Sequence, residues 1–145
     1  MTQTGAVVFN VEQDPDAGDI AFLDDRLTAF TIAMSGHDDA RPLAIFVRDD
    51  DGRIVAGIHG WTWGRCCELI SLWVEEERRG RGVGRALLAA AEQEAGRRQC
   101  LQVVLFTHAM QAPRLYLDTG YELVGAVDDY PAGNAAYWLR KHLES

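Results

Sequence analysis

Long apolar runs are missing from this 145-residue chain. No stretch approaches the roughly 20 apolar residues that a membrane-spanning helix needs. The N-terminus, Met1-Thr2-Gln3-Thr4-Gly5, lacks the charged segment and apolar core of a secretory signal. A soluble, cytoplasmic protein with no membrane partner is therefore expected. Cysteine is scarce: there are three, Cys66, Cys67 and Cys100, and two are adjacent. That is poor geometry for a structural disulfide and fits reduced thiols in a cytosolic setting. No Cys/His spacing resembles a zinc site, so no metal is expected. Basic residues are in deficit, 14 against 22 acidic, for a net charge of −8. This argues against nucleic-acid binding, which needs a basic face. It suits a cationic small substrate, although solubility alone produces the same balance. Repeats, linkers and low-complexity stretches are also missing. The length and 48% hydrophobic content suit one domain, 1–145, with a sizeable core.

What is present is an alternation of strand-like and helix-like segments. Ala6 to Val11 reads as a first strand, and Asp14-Pro15-Asp16 as a break and a helix cap. From about Asp19 to Met34, Ile20, Leu23, Leu27, Phe30 and Ala33 recur at helical spacing, and Ser35-Gly36 ends that helix. Leu43–Arg48 and Ile54–Trp63 are strands joined by the hairpin turn Asp49-Asp50-Asp51-Gly52. Trp63-Gly64-Arg65 turns into a fourth strand, Cys67–Val74. A helix from about Gly82 to Arg97 shows Val83, Leu87, Leu88 and Ala91 on one face. Gln102–Thr107 is an unbroken apolar run, suited to a buried parallel strand. A short helix, Ala112–Asp118, stops near Gly120, and Tyr121–Val127 and Ala136–Arg140 are the last strands.

The most telling stretch is Arg78-Arg79-Gly80-Arg81-Gly82-Val83-Gly84-Arg85, between the fourth strand and the long second helix. A glycine-rich, basic turn entering a helix offers free backbone N–H groups and a positive helix end to an anion. Without Cβ atoms, Gly80, Gly82 and Gly84 let a phosphate reach the backbone. The nucleotide-binding Lys-Ser/Thr ending is missing, so this is no P-loop. An ordinary basic helix cap would carry the same residues.

These residues resemble the GNAT N-acetyltransferases. Their R/Q-x-x-G-x-G/A motif reads here Arg79-Gly80-Arg81-Gly82-Val83-Gly84, with Val74 five residues ahead at the strand end. A second motif, a short helix carrying a tyrosine and ending in Gly-Phe or Gly-Tyr, reads Leu115-Tyr116-Leu117-Asp118-Thr119-Gly120-Tyr121. The match covers about residues 40 to 143. The resemblance implies an α/β (α+β) fold: a mixed, mostly antiparallel sheet of six or seven strands flanked by helices, splayed between the fourth and fifth. It implies acetyl-coenzyme A as co-substrate and an amine as acceptor. The pyrophosphate would lie on Arg79, Gly80, Arg81, Gly82, Val83, Gly84 and Arg85. The pantetheine arm would run along Leu72, Trp73 and Val74, whose backbone would also polarise the thioester carbonyl. A homodimer through the C-terminal strands is a further expectation of the resemblance alone.

By the same resemblance Tyr116 contacts the cofactor and is the acid that protonates the leaving thiolate; plain aromatic packing is the alternative. Gln111 stands where many members place an asparagine on the cofactor. Glu68 is the candidate base. Period-two alternation predicts Glu68 and Val74 on one face with Ile70 and Leu72, an apolar setting that would raise its pKa. A wet strand start with no chemical role is the competing reading. His59 and His108 are rival bases. Trp61, Trp63 and Tyr130 are the candidate acceptor contacts, against core packing. His37-Asp38-Asp39 and Asp128-Asp129 are acidic stretches that could attract an ammonium or simply be solvated. The cysteines have no assigned role. Two rival functions stand beside a small-molecule acetyltransferase: a non-catalytic acyl-coenzyme A sensor, and an enzyme acting on a protein or peptide N-terminus.

Overall fold

A computed structural model describes residues 2–5, 7–111 and 113–144. The chain divides into two compact units, Met1–His37 and Asp38–Ser145. In the first, β1 (Thr2–Thr4) and β2 (Val7–Phe9) form an antiparallel two-stranded sheet with Thr2 opposite Phe9. The strand expected over Ala6–Val11 is thus shorter, and its first residue lies outside the described residues. Helix α1 (Ala17–Ser35) follows, and its ends are built as its sequence dictates. The Asp16 carboxylate accepts from the Gly18 N–H at 2.7 Å. Gly36, at φ 76°, donates its N–H to the Ile32 carbonyl at 2.9 Å and closes the last turn.

The second unit is built on one six-stranded sheet in the order β3-β4-β5-β6-β8-β7. Its strands are β3 (Arg41–Arg48), β4 (Ile54–Trp63), β5 (Cys66–Val74), β6 (Gln102–His108), β7 (Glu122–Asp128) and β8 (Ala135–His142). All neighbours are antiparallel except β5 and β6. That parallel pair needs a crossover, and α2 (Val83–Arg97) supplies it. Short helix α3 (Arg114–Asp118) joins β6 to β7. Ala112, expected to begin that helix, lies outside the described residues. The Asp49–Gly52 hairpin forms as expected: Asp49 accepts from the N–H groups of Asp51 and Arg53, both at 2.9 Å.

The core lies between α2 and one face of the sheet. Leu87, Leu88, Ala91 and Ala95 of α2 are buried against Leu43, Ile58, Cys67, Leu69, Val103 and Leu105. This is the apolar helix face read from the sequence, extended by one turn to Ala95. Leu115 and Tyr116 of α3 add to the same cluster.

Strand β5 departs from simple alternation. His59 of β4 lies opposite Ser71, and the next residue, Gly60, lies opposite Leu69. Ile70 is left over, an extra residue that makes a β-bulge. The bulge overturns the predicted facing of Glu68. Cys67, Leu69, Leu72 and Val74 share the face packed on the core, while Glu68, Ser71 and Trp73 lie opposite Trp61, His59 and Gly57 on the other. Glu68 is exposed and shares neither Val74's face nor its apolar setting.

Glycine is required where β4 passes the bulge. A Cβ on Gly60 would collide with the Glu68 carbonyl oxygen and lie 2.9 Å from the Leu69 Cα. Both are backbone atoms and have nowhere to go. Gly60→Ala is therefore expected to destabilise the protein by about 1–3 kcal/mol, the usual cost of overpacking, read as a lower urea midpoint. An unchanged midpoint would show that the close approach is not a constraint.

Candidate active site

The bulge bends β5, and its ladder with β6 ends there. The parallel pairing runs from Cys66–Gln102 to Leu69–Leu105 and stops. Beyond it β5 continues to Val74, while β6 continues to His108 paired only with β8. The two strands part, and a cavity of about 540 Å³ opens between them. Residues from both faces of β5 line it, Leu72 and Val74 from one and Ile70, Ser71 and Trp73 from the other. It therefore passes through the sheet. Leu105, Phe106 and Thr107 form its β6 wall, with Met110, Gln111 and Tyr116 beyond.

At the end of β5 a 3₁₀ turn, Glu76–Arg78, leads into the glycine-rich loop. Gly80 and Gly82 sit at φ 76° and 82°, left-handed values that glycine adopts without strain. Nothing lies within 4 Å of where their Cβ atoms would be, so the backbone faces open space. The α2 ladder opens with the Ala86 N–H donating to the Gly82 carbonyl at 3.0 Å. The N–H groups of Val83, Gly84 and Arg85 precede the first bond of that ladder and have no intrahelical acceptor. They lie at the positive end of a 15-residue helix. A second cavity, about 420 Å³, covers this loop. It shares Leu72, Val74, Arg79, Gln111 and Tyr116 with the opening between the strands, so one continuous groove runs from the helix end into the sheet.

The arginines of the loop differ in employment. Arg79 Nε donates to the Val74 carbonyl at 2.8 Å and ties the loop to the strand end. Arg78 pairs with Glu75 at 3.2 Å. Among the described residues, neither Arg81 nor Arg85 is in an ion pair. Arg85 lines the groove and Arg81 does not.

Tyr116 sits where the two cavities meet. Burial raises its pKa above the ordinary phenol value of 10.0, so it stays protonated and can donate. Its ring meets Tyr121 edge to face at 5.6 Å. Tyr121 is braced in turn: its hydroxyl donates to Glu92 Oε2 at 2.8 Å, and Lys141 Nζ donates to the other oxygen at 2.9 Å. Residues from α2, β8 and the α3–β7 turn thus meet at one carboxylate and fix the helix that carries Tyr116.

The other sequence-predicted residues are spread over the sheet. Glu68 lies opposite Val104 on β6 and Trp61 on β4, one residue short of the end of the parallel ladder. It does not line the opening; Ile70, two residues on, does. His59 stands one strand further away, its ring 6.2 Å from that of Trp61. His108 ends β6, and its Nδ1 donates to the Tyr130 carbonyl at 2.9 Å, which leaves Nε2 as the ring nitrogen outside that bond. The Gln111 side chain accepts the His108 N–H at 2.8 Å and lines both cavities. Trp63 and Tyr130 are not brought together. Trp63 lies opposite Cys66, in register with Gln102 at the start of β6, and Tyr130 packs on His108 at its end. Six residues of strand, roughly 20 Å, separate those ends. The sequence reading missed Ile70, Phe106, Thr107, Met110 and Leu115, which line the groove. Leu115 lies in the tyrosine motif, and Thr107 and Met110 lie in the stretch Thr107–Pro113 that also resembles the family; Ile70 and Phe106 belong to no motif.

Cys67 and Cys100 are buried, and burial pushes the Cys67 thiol up to about 12. Tyr121 is likewise raised, by burial and by the neighbouring Glu92 carboxylate. Among the described residues, no three of His, Cys, Asp and Glu gather into a metal-holding group. No helix among them is long and apolar enough to cross a membrane.

The acetyltransferase (GNAT) family model matches residues 8–121. The chain is 34% identical over 117 residues to acetyltransferase Atu2258 of Agrobacterium fabrum, covering 81% of this chain and 85% of that protein. It is 33% identical over 112 residues to the blasticidin-S acetyltransferase of Streptomyces morookaense, covering 72% and 80%. The crystal structure of a protein described as an acetyltransferase from Agrobacterium tumefaciens superposes with a TM-score of 0.89 at 31% identity, over 94% of this chain and all of that one.

Folded, Tyr116, Tyr121 and Cys67 hold their protons more tightly than the unfolded chain does, because burial disfavours their anions. Their stabilising contribution is complete below the ordinary values of 9.0 for the thiol and 10.0 for the phenols. It is lost as pH rises from there, for Cys67 up to about 12. Urea midpoints should fall steadily from pH 9 to pH 11. A midpoint that holds or rises over that interval would contradict the burial of these groups.

Proposed function

Because the chain belongs to the acetyltransferase (GNAT) family, we propose that it moves an acetyl group from acetyl-coenzyme A to a primary amine of a small molecule. Transfer is direct, with both reactants bound together. The observation that carries this reading is the continuous groove from the α2 N-terminus into the parting of β5 and β6. The match of the family model from residue 8 to residue 121 supports treating 1–145 as a single acetyltransferase domain. The relative from Streptomyces morookaense acts, by its name, on blasticidin S, and that supports a small acceptor over a protein terminus.

The residues present fit coenzyme A on three counts. The glycine loop is open to a ligand at Gly80 and Gly82, and the first amides of α2 are free to bind a pyrophosphate. Arg85, in no ion pair among the described residues, adds a cation along the groove. Beyond Leu69, β5 has no partner on its β6 side among the described residues, so its backbone is free to pair with an amide-containing arm. When bound, acetyl-coenzyme A supplies an activated thioester.

The chain's own contribution is positioning and proton handling. Backbone N–H groups near Val74 polarise the thioester carbonyl. Tyr116, kept protonated by burial and held by Tyr121, delivers a proton to the departing sulfur. The attacking amine must be neutral. Glu68, one residue from the end of the ladder and exposed to solvent, takes its proton through water. His108 offers a second route through its Nε2. Holding donor and acceptor on opposite sides of one opening provides the proximity that direct transfer needs.

Tyr116→Phe separates an enzyme from a sensor. The enzyme reading expects coenzyme A release to fall by about 10²-fold or more, the scale of a lost general acid. Acetyl-coenzyme A affinity by calorimetry should stay within about twofold, because the ring still fills its place. Unchanged release would remove Tyr116 from the chemistry. Tight acetyl-coenzyme A binding by the native protein, with no release to any amine in a broad panel, would favour the sensor.

A further inference from the structure

Phe106 connects the opening to a wall of aromatic rings on the sheet face opposite α2. It lines the opening between β5 and β6. Its ring lies 5.0 Å from Trp138, 5.7 Å from Tyr130 and 5.5 Å from His108. His108 and Tyr130 meet at 4.8 Å and are locked by the hydrogen bond from Nδ1 to the Tyr130 carbonyl. The arrangements are tilted or edge-on, the geometry that ring quadrupoles prefer. Yet the wall is unfinished. Trp138 remains 41% exposed and Tyr130 51%, so large ring surfaces still face outward beside the opening.

In the Asp38–Ser145 unit the charged side chains near this wall include Glu68, Arg140 and Asp129. Glu68 lies opposite Val104, two residues from Phe106 on the same face, a diagonal of roughly 7–8 Å between backbones. Arg140, also opposite Val104, is held by Glu122 at 3.0 Å. Asp129 is engaged with the Gly133 N–H at 3.2 Å. A polyamine or an amino sugar would be matched by several carboxylates and hydrogen-bonding groups. What borders this opening in the Asp38–Ser145 unit is a ring wall, with Glu68 on the neighbouring strand and the carboxylates of Asp129 and Glu122 already engaged.

We infer that the acceptor is a small amine carried on a flat aromatic or conjugated ring. The ring lies against Phe106, Trp138 and Tyr130, and the ammonium is drawn to the Glu68 side. This rests on the acetyl-transfer reading and specifies its acceptor. Stacking on the exposed rings of Trp138 and Tyr130 favours a flat ring over a puckered one of equal size by on the order of tenfold.

The test pairs amines that differ only in flatness: 2-phenylethylamine against 2-cyclohexylethylamine. Tryptamine and spermidine extend the set. Coenzyme A release and calorimetric binding in the presence of coenzyme A are both measured. The flat member of the pair should show about tenfold higher kcat/KM, carried by KM, and tryptamine should exceed spermidine. Trp138→Leu and, independently, the loop variant Tyr130→Ser should shrink that ratio toward one, with the KM for acetyl-coenzyme A unchanged. Equal rates for the two ring types, or a ratio that survives both substitutions, overturns the inference. If no amine releases coenzyme A, the transfer reading fails separately. The binding titration then decides this one: selective binding of the flat amine sustains the ring wall, and equal binding ends it.

Discussion

The parting of two neighbouring strands is the constraint on which the rest of this molecule depends. A sheet stays closed because each backbone donor and acceptor finds a partner, and an unpaired stretch inside a sheet is costly unless something fills it. Here the ladder between β5 and β6 ends at Leu69 and Leu105, although both strands continue. The extra residue Ile70 bends β5 at that point, and Gly60 makes room for the bend by carrying no side chain. Downstream, Arg79 holds the Val74 carbonyl and fixes where the strand gives way to the loop. The result is an unsatisfied strand edge leading to an unsatisfied helix end.

That edge divides the site into two chemistries. On the α2 side lie free amides, a positive helix end and arginines, all suited to phosphate. On the other side of the sheet lie the rings of Phe106, Trp138 and Tyr130, with Glu68 on the neighbouring strand. The anionic donor and the amine acceptor that we propose have opposite charges and different shapes, and each finds its match on its own side. Tyr116 stands at the junction, and Glu92 holds it there at second hand by receiving both Tyr121 and Lys141. The brace explains why the tyrosine is carried on a five-residue helix that would not be stable alone.

Much of this was legible in the sequence, because its signals are local. The capping Asp16, the Asp49–Gly52 hairpin, the α2 face and the glycine loop each need only a few adjacent residues. The facing of Glu68 was not legible. One added residue in an apolar run leaves the run looking the same, and alternation then errs for every residue beyond it. Gly60, one of two glycines in that strand, was the available sign of a bulge, and Gly57 carries the same sign without one on the β5 side. The separation of Trp63 from Tyr130 depends on the register that sets Cys66 beside Gln102, residues far apart in sequence, which no local pattern encodes. The Glu92 brace joins three distant segments for the same reason. Phe106 reads as one apolar residue in a buried strand, and only the loss of its β5 partner makes it a site residue.

The central claim is that the free edge of β5 and the first turn of α2 together receive the acyl donor. Amide hydrogen exchange with and without saturating acetyl-coenzyme A tests it most directly. Exchange should slow in two separate segments, residues 71–74 and 80–85, with little change in the paired part of β5 at residues 66–69. Protection confined to the loop, or appearing elsewhere while β5 exchanges as before, would contradict the account.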